Sequence, residues 1–258
     1  MNKASISAVI ICLNEQSNIE RCLKSLNWVD EVIVYDSGST DKTIDIAQQY
    51  GAKVVQGDWL GFGPSKHKAT SLAQNDWILS VDADEEIPQA LQTEILSHVR
   101  NLSPEVAYRI PRLSYFMGKW IRRGGWFPDY QLRLFNKKNY QWNQEPIHEK
   151  VESIHHTQKL VQVKNLNNYF HHYVFKNIDH QVATNNKYST LQAQKMFHEK
   201  KYFSYFHMIT KPYVKFIECY FLKLGLLDGW AGYVIARNAA YSVFIKWVKL
   251  KELYDQKK

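Results

Sequence analysis

The sequence has little of what marks secreted, zinc-binding or membrane-spanning proteins. Its three cysteines, Cys12, Cys22 and Cys219, are irregularly spaced and form no Cys-x-x-Cys pair. This usage favours a reducing compartment and argues against a structural zinc site. The apolar run at residues 8–13 is too short and too early for a secretory signal. We therefore expect a cytosolic protein.

Glycine-rich phosphate loops are also missing. Residues 13–16, after the first predicted strand, read Leu-Asn-Glu-Gln, so neither Gly-x-Gly-x-x-Gly nor Gly-Lys-Ser/Thr occurs there. This argues against dinucleotide-binding proteins and ATPases, and also against sugar-nucleotide pyrophosphorylases, which carry a glycine-rich loop with an arginine at this point. If the ligand bears phosphates, a cation and basic side chains must hold them.

Strands and helices alternate along the first hundred residues. The pattern predicts strands at residues 7–13, 31–35, 53–55 and 77–81, and helices at residues 17–26, 41–50, 66–74 and 88–100. Such alternation with short connections is typical of an α/β fold with a mostly parallel sheet and helices on both faces. In these sheets ligands bind beyond the carboxyl ends of the strands.

Polar residues follow three of the predicted strands at those ends. They are Asn14 and Glu15, Asp36, and the pair Asp82 and Asp84. On an extended segment Asp82 and Asp84 leave the same face, and two such carboxylates suit a hard divalent cation. The alternative is a solvated acidic turn before the next helix. The convergence of all three clusters on one edge of the sheet favours a ligand site.

Taken together, three motifs resemble the inverting family 2 glycosyltransferases, which have the GT-A fold. They are Val-Ile-Ile-Cys-Leu-Asn-Glu at residues 9–15, Asp-Ser-Gly-Ser-Thr-Asp-Lys-Thr at 36–43 and Asp-Ala-Asp-Glu at 82–85. The stretches at residues 59–64, 128–135 and 148–151 are similar to the branch that builds the lipopolysaccharide core with glucose. The resemblance covers almost the whole chain and implies a catalytic domain over residues 1–178.

The resemblance also implies roles for individual residues. The nucleotide-sugar donor would be contacted by Asn14, Glu15, Asp36, Lys66, Asp82 and Arg133. A Mg²⁺ or Mn²⁺ ion on the donor diphosphate would be held by Asp84, with Asp82 and His148 as further candidate ligands. In this family such an ion offsets the charge that grows on the departing UDP.

Inversion requires a base that takes the proton from the acceptor hydroxyl. Asp129 is the first candidate and Glu149 the second. Asp129 follows a proline, so the alternative is an ordinary turn residue. Trp126 is a candidate platform for stacking on the acceptor sugar, or else a core residue. Most adjacent histidine pairs are ordinary strand residues, and of those in this sequence His172 is the best placed for a site role.

The last third of the chain is basic, aromatic and helical. Residues 179–258 contain 12 Lys and one Arg against six Asp and Glu, which gives them a net charge of +7 out of +8 for the chain. The pattern predicts helices at 186–199, 202–224 and 230–253, and repeated charges argue against a membrane span. We interpret this region as an appendage at an anionic membrane surface. A helical pack over the sheet is the alternative, and no nucleic-acid motif is present.

The sequence thus predicts a metal-dependent, inverting glycosyltransferase at the cytoplasmic face of the cell membrane. It would move a hexose, glucose by the resemblance, from a UDP-sugar to a lipid-linked saccharide such as the lipopolysaccharide inner core. Two alternatives remain open. One is a glycosyltransferase for another envelope polysaccharide or glycolipid, and the other is an inactive, membrane-associated module that binds nucleotide sugars.

Overall fold

The computed structural model describes residues 4–99, 103–145, 149–154 and 162–257, and they form two compact units. The first comprises the described residues of Met1–Arg112 and Asp129–His172. The second comprises those of Leu113–Pro128 and Tyr173–Lys258. The segment 113–128 therefore groups with the C-terminal helices. The predicted metal ligand His148 lies outside the described residues.

The elements of the first unit alternate at the start and are mainly strands later. The first six strands are β1 Ile6–Cys12, β2 Glu31–Asp36, β3 Lys53–Gln56, β4 Trp77–Ser80, β5 Glu85–Glu86 and β6 Val106–Phe116. The helices among them are α1 Ile19–Lys24, α2 Thr43–Gln49, α3 Phe62–Ser71 and α4 Gln89–Val99. The later strands are β7 Lys119–Ile121, β8 Asp129–Asn136, β9 Tyr140–Trp142, β10 Val151–Ser153, β11 Gln162–Asn165 and β12 Phe170–His172.

The first four strands form a parallel sheet. Strand β1 lies between β2 and β4, and β3 lies beyond β2. Residue Val9 of β1 stands opposite Ile33 on one side and Ser80 on the other, which fixes the register of the central strands. Helical connections between parallel neighbours are the arrangement that the sequence predicts. The α/β fold class is thus confirmed.

The rest of the sheet is mixed. Strand β8 pairs antiparallel with both β4 and β6, and β12 pairs antiparallel with β5. Two features of this half position the site described below. The register of β6 and β8 places Arg112 opposite Asp129, and that of β12 and β5 places His172 opposite Glu85.

Side chains of the parallel strands alternate between two apolar clusters, one on each face of the sheet. On one face Ala8 and Ile10 belong to the cluster that also contains Leu91 of α4. On the other face Val9 belongs to the cluster that contains Ala69 of α3. Because successive side chains of a strand point to opposite faces, β1 is buried on both sides.

The second unit is helical apart from β7 and the end of β6. Its helices are α5 Ile178–His198, α6 Tyr205–Ile217 and α7 Gly229–Asp255, with a π-helical turn at Glu218–Leu222 and a 3₁₀ turn at Gly225–Asp228. Gly232 of α7 packs closely on the 3₁₀ turn, because a Cβ there would lie 1.8 Å from the carbonyl oxygen of Gly225. Among the described residues, no helix has the length and apolar character that crossing a membrane requires.

Candidate active site

Three neighbouring parallel strands end at polar residues, as the sequence predicts. Strand β2 ends at Asp36, β1 is followed by Asn14 and Glu15, and β4 is followed within two residues by Asp82. The order of these strands in the sheet is β2-β1-β4. The backbone N–H of Glu15 donates to Thr43 Oγ1 at 2.8 Å, which joins the loops after β1 and β2.

Asn14 and Asp36 fix the conformation of these two loops. Asn14 has a positive φ of 57°, and its backbone N–H donates to Ser39 Oγ at 2.8 Å. Its side-chain oxygen accepts from the N–H of Thr40 at 2.9 Å. Asp36 is fully buried and accepts from the N–H of Ser39 at 2.8 Å and from the hydroxyl of the same residue. The carboxylate of Asp36 is therefore engaged by its own loop.

Asp82 lies at the centre of a charged cluster. Its carboxylate accepts hydrogen bonds from the Arg133 guanidinium and pairs with Lys66 Nζ at 2.9 Å. Its backbone N–H donates to Glu85 Oε2 at 2.9 Å, and Arg133 Nη2 lies 3.4 Å from Glu85 Oε1. Glu85, Arg133 and Lys66 are all nearly or fully buried. The structure thus brings together three residues, Lys66, Asp82 and Arg133, that the sequence places far apart.

Burial and charge act in opposite directions on this cluster. Burial raises the pKa of Asp82, but Arg133 and Lys66 outweigh burial and hold the pKa well below its usual value. For Glu85, burial is the larger effect, and together with repulsion from Asp82 it raises the pKa despite the attraction of Arg133. Burial lowers the pKa of Arg133, but Asp82 and Glu85 raise it by more. The net shift is upward, so the guanidinium stays charged.

Arg112 connects the first candidate base to this cluster. Its Nε donates to Asp129 Oδ2 at 2.9 Å, and Gln131 Nε2 donates to the other carboxylate oxygen at 2.7 Å. The Nη1 atom of the same guanidinium lies 3.7 Å from Glu85 Oε1 and 3.9 Å from Asp82 Oδ2. The Asp129 side chain is 40% exposed. Asp129 is thus oriented by two donors and remains accessible.

Lys66 connects the second candidate base to the same carboxylate. Lys66 Nζ lies 3.2 Å from Glu149 Oε1 and 4.8 Å from the centroid of the Trp142 ring. An ammonium over an indole face gains cation–π stabilisation, which helps to hold a buried lysine in place. Both candidate bases are therefore tied to Asp82, each through a different cation.

Asp84 faces a histidine rather than the cations. His172 Nε2 lies 3.4 Å from Asp84 Oδ2, because β12 pairs with β5 immediately after the acidic turn. Burial lowers the pKa of His172, but the hydrogen bond and charge of Asp84 outweigh burial, so the net shift is upward.

A carboxylate oxygen and an imidazole nitrogen at one point are suitable donors for Mg²⁺ or Mn²⁺. Within the described ranges no group of three or more His, Cys, Asp or Glu side chains gathers as a metal cage. A magnesium ion on a nucleotide commonly takes only one or two protein ligands, and phosphates and water complete its shell. Asp84 and His172 therefore fit such an ion.

Two residues of the site, Glu85 and Arg112, were not predicted from the sequence. Glu85 belongs to the motif at residues 82–85 but is given no role of its own, although four acidic groups within five residues cannot all be solvated at the end of a buried strand. Arg112 lies outside all of the sequence motifs. Its role follows only from the pairing of β6 with β8, which no local pattern indicates.

The predicted acceptor platform lies in the second unit. Trp126 is half-buried, and its ring lies 5.7 Å from that of Phe116 and 6.1 Å from that of Phe175. These three rings, with Ile121 and Ile235, form a small apolar cluster. Packing in this cluster buries part of the Trp126 ring. Stacking of Trp126 on a sugar stays a prediction.

We expect Arg133→Met to lower the free energy of unfolding by about 3–5 kcal/mol, because it leaves buried carboxylates without their main partner. Urea denaturation followed by tryptophan fluorescence measures the change. Adding Glu85→Gln should restore part of the loss, since one of the uncompensated carboxylates is then neutral. A decrease below about 1 kcal/mol would show that the cluster does not need this cation.

Similar proteins were found by sequence and by structure. Glucosyl-3-phosphoglycerate synthase from Mycobacterium tuberculosis, solved with Mn²⁺, UDP-glucose and phosphoglyceric acid, aligns over 45% of each chain with 28% identity and a TM-score of 0.34. A glycosyltransferase of Rickettsia typhi, described as uncharacterised, is 35% identical over 96% of this chain and 87% of its own length. The lipopolysaccharide core biosynthesis glycosyltransferase LpsC of Rhizobium meliloti is 29% identical over 99% of this chain and 95% of its own.

The family profile agrees with these sequence relatives. Residues 7–159 match Glycosyl transferase family 2. That range contains the parallel sheet, the acidic turn after β4 and both candidate bases. The family and the enzyme class that the motifs predict are confirmed: this chain belongs to glycosyl transferase family 2 and is a glycosyltransferase.

Proposed function

We propose that this glycosyltransferase moves a hexose, glucose in the first instance, from a UDP-sugar to a lipid-linked saccharide with inversion at the anomeric carbon. The observation that carries the proposal is the cluster in which Asp82 joins Lys66 and Arg133 at the carboxyl ends of the parallel strands. The acceptor class, lipopolysaccharide core, is supported by the similarity to LpsC, a lipopolysaccharide core biosynthesis glycosyltransferase that aligns along nearly the whole chain.

The donor would lie across the ends of β2, β1 and β4. Asn14 and Glu15 follow β1 in an ordered loop and are proposed to contact the nucleoside. Asp36, the other predicted nucleotide contact, is buried and is proposed to act by holding the loop after β2, whose Ser39 binds Asn14. Lys66 and Arg133 supply positive charge for the diphosphate, where a guanidinium fork is well suited to phosphate oxygens. Asp82 keeps both cations in position.

Asp84 and His172 are the proposed protein ligands of Mg²⁺ or Mn²⁺. When bound, the cation offsets the negative charge that develops on the leaving diphosphate. Asp82 is less suited to this role than the sequence implies, because its carboxylate already binds Arg133 and Lys66. His148, the third predicted ligand, lies outside the described residues.

Asp129 is the proposed base. One of its carboxylate oxygens takes the proton of the acceptor hydroxyl as the acceptor oxygen attacks the anomeric carbon, and the bond from that carbon to the diphosphate breaks to release UDP. Arg112 and Gln131 each donate to it, so the carboxylate is held in one orientation before the acceptor arrives. Glu149 remains the alternative, held by Lys66 at 3.2 Å. Trp126 is proposed to stack on the acceptor sugar.

The proposal is tested by UDP release from a panel of UDP-sugars with purified lipopolysaccharide core as acceptor, with and without a chelator. We expect turnover that needs both core acceptor and divalent cation and is fastest with UDP-glucose. UDP-sugar binding without release under any of these conditions would favour the inactive binding module. Release with another envelope glycolipid and none with core would move the acceptor to that class.

We also propose that the enzyme works as a peripheral protein on the cytoplasmic face of the cell membrane. A lipid-linked acceptor is held at a bilayer, and the net charge of +7 over residues 179–258 favours an anionic surface. The parts of the second unit that would make this contact are described next.

A further inference from the structure

Helix α6 is amphipathic, yet none of its residues is buried. Phe206, Ile209, Tyr213 and Ile217 follow one another at intervals of three and four residues, so they share one side of the helix. Their side chains are 72%, 57%, 68% and 48% exposed. Leaving four large side chains in water on one side of a helix is costly, since burying each would contribute about 1.5–3 kcal/mol.

Other large apolar side chains beyond the end of α6 are also exposed. Leu222 of the π-helical turn, Leu227 of the 3₁₀ turn and Trp230 at the start of α7 are 75%, 60% and 69% exposed. Contiguous exposed apolar side chains, such as the four on one side of α6, mark sites of interaction. We call the surface formed by these four α6 residues the α6 face.

The charge around the α6 face is positive. Residues 200–237 carry six Lys and Arg and two Asp and Glu. Both acids are engaged within the unit. Glu218 pairs with Lys215 at 3.0 Å and also with Lys223. Asp228 is buried and accepts from the N–H of Arg123 at 2.8 Å. The cations thus outnumber the available anions.

A half-buried lysine shows the same excess. Burial lowers the pKa of Lys246, and repulsion from Lys211, Lys201 and Lys215 lowers it further. Of these four lysines, Lys215 pairs with Glu218 at 3.0 Å and Lys201 pairs with Glu199 at 2.8 Å. Among the described residues no carboxylate pairs with Lys211 or Lys246, so these two lack a matching anion from the chain itself.

Helix α7, which belongs to the same predicted membrane appendage, has a different environment. Two of its polar residues face α5: Asn238 Nδ2 donates to Gln181 Oε1 at 2.5 Å, and Lys249 Nζ donates to Ser189 Oγ at 2.8 Å. Seven residues of α7 are buried. Helix α7 thus has a buried side, whereas α6 has no buried residue.

We propose that the α6 face enters the interfacial region of an anionic lipid bilayer, with Lys211, Lys246 and Arg237 on phosphate headgroups. Tyrosine and tryptophan prefer the boundary between headgroups and acyl chains, and lysine ammonium groups remain at the polar surface. The combination of exposed aromatics with unmatched lysines fits lipid better than a second copy of the chain, which would bring the same positive charge.

A groove beside the α6 face fits the same partner. It has a volume of about 330 Å³ and lies between α6 and α7, lined among others by Pro212, Phe216, Tyr241 and Phe244. Arg237 also lines it and provides a positive charge. An acyl chain with a phosphate headgroup has the chemistry for this groove. This inference rests on the proposed function in one respect, the lipid-linked acceptor. It adds to that function the surface at which the enzyme would meet the acceptor.

The test is co-flotation of the full chain with vesicles of phosphatidylcholine alone or mixed with phosphatidylglycerol, at low salt. We expect flotation with the anionic vesicles. The double variant Phe206→Ser with Tyr213→Ser should weaken it by about tenfold to a hundredfold. The matched control is Val182→Ser with Tyr188→Ser, two residues of α5 that are both 43% exposed; it should float like the wild type.

Two measurements keep the outcome clear. Circular dichroism checks that the variants are folded, and light scattering reports self-association. Absence of flotation with anionic vesicles, or equal flotation of both double variants, would overturn the proposal. A dimer that only the α6 variant loses, without lipid binding, would assign the face to a second copy. UDP release with a soluble core saccharide should be unchanged in the α6 variant, which separates failure of lipid binding from failure of the transferase proposal.

Discussion

Replacement of Asp84 by alanine should reduce kcat on the order of 10³-fold and remove the response of the enzyme to Mn²⁺. Asp84 is the carboxylate of the acidic turn that neither Arg133 nor Lys66 engages, and it faces the imidazole of His172. Its loss removes a hard oxygen ligand from the proposed cation site. Because the Asp82 cluster does not include Asp84, the fold should be retained.

Binding of Mn²⁺ in the presence of UDP, measured by calorimetry, gives a readout that does not depend on turnover. Glu86→Gln is the matched control, since Glu86 is an acid of the same segment that lies 3.6 Å from His171 instead. We expect His172→Ala to weaken Mn²⁺ binding and His171→Ala to leave it unchanged, because adjacent residues of a strand face opposite ways. Normal Mn²⁺ binding by the Asp84→Ala variant would overturn the assignment of Asp84 as a metal ligand.

Asp129→Asn should lower kcat by about 10²–10⁴-fold, the usual contribution of a general base, with little change in KM for the UDP-sugar. The substitution is isosteric and keeps an oxygen for Arg112 or Gln131 to donate to, so the loss is mainly that of proton acceptance. UDP release at saturating donor and acceptor measures it, and the KM for the donor separates chemistry from binding.

Glu149→Gln is the comparison that decides between the candidates. If Asp129 is the base, Glu149→Gln should act mainly through Lys66 and change donor KM more than kcat. A full rate in Asp129→Asn together with a large loss in Glu149→Gln would transfer the base role to Glu149. Arg112→Lys should give an intermediate rate if Arg112 orients Asp129, since a lysine keeps the charge but not the fork.

The part of the fold that local patterns determine was predictable. Four short apolar runs, each ending in a polar residue and followed by a helical pattern, predict β1 to β4 and the edge where Asn14, Asp36 and Asp82 meet. Strand β4 spans Trp77–Ser80, against a predicted 77–81. Here the hydrophobic periodicity and the right-handed connection rule leave few other arrangements.

The antiparallel half was not predictable in the same way. Strands such as β11 Gln162–Asn165 are fully exposed, and β6 contains Pro111, so neither shows a clear period of two. The contacts of Arg112 and His172 depend on the pairing of these strands. Their roles follow from long-range register, which a single sequence does not reveal.

Helix α6 shows a different limit. The pattern predicts a helix at residues 202–224, but it cannot tell which partner covers the apolar side of that helix. The sequence assigns the interfacial role to the whole region 179–258, whereas in the structure α7 has buried residues and α6 has none. Exposure, which only the folded chain reveals, distinguishes the two.

The carboxylate of Asp82 also has a consequence for the end of the catalytic cycle. Lys66 and Arg133 are both nearly buried, and two such cations without an anion of their own would retain a diphosphate strongly. In the proposed donor site Asp82 would compete with the nucleotide for both cations. We therefore expect this residue to hasten the departure of UDP, so that the protein's own anion limits product inhibition.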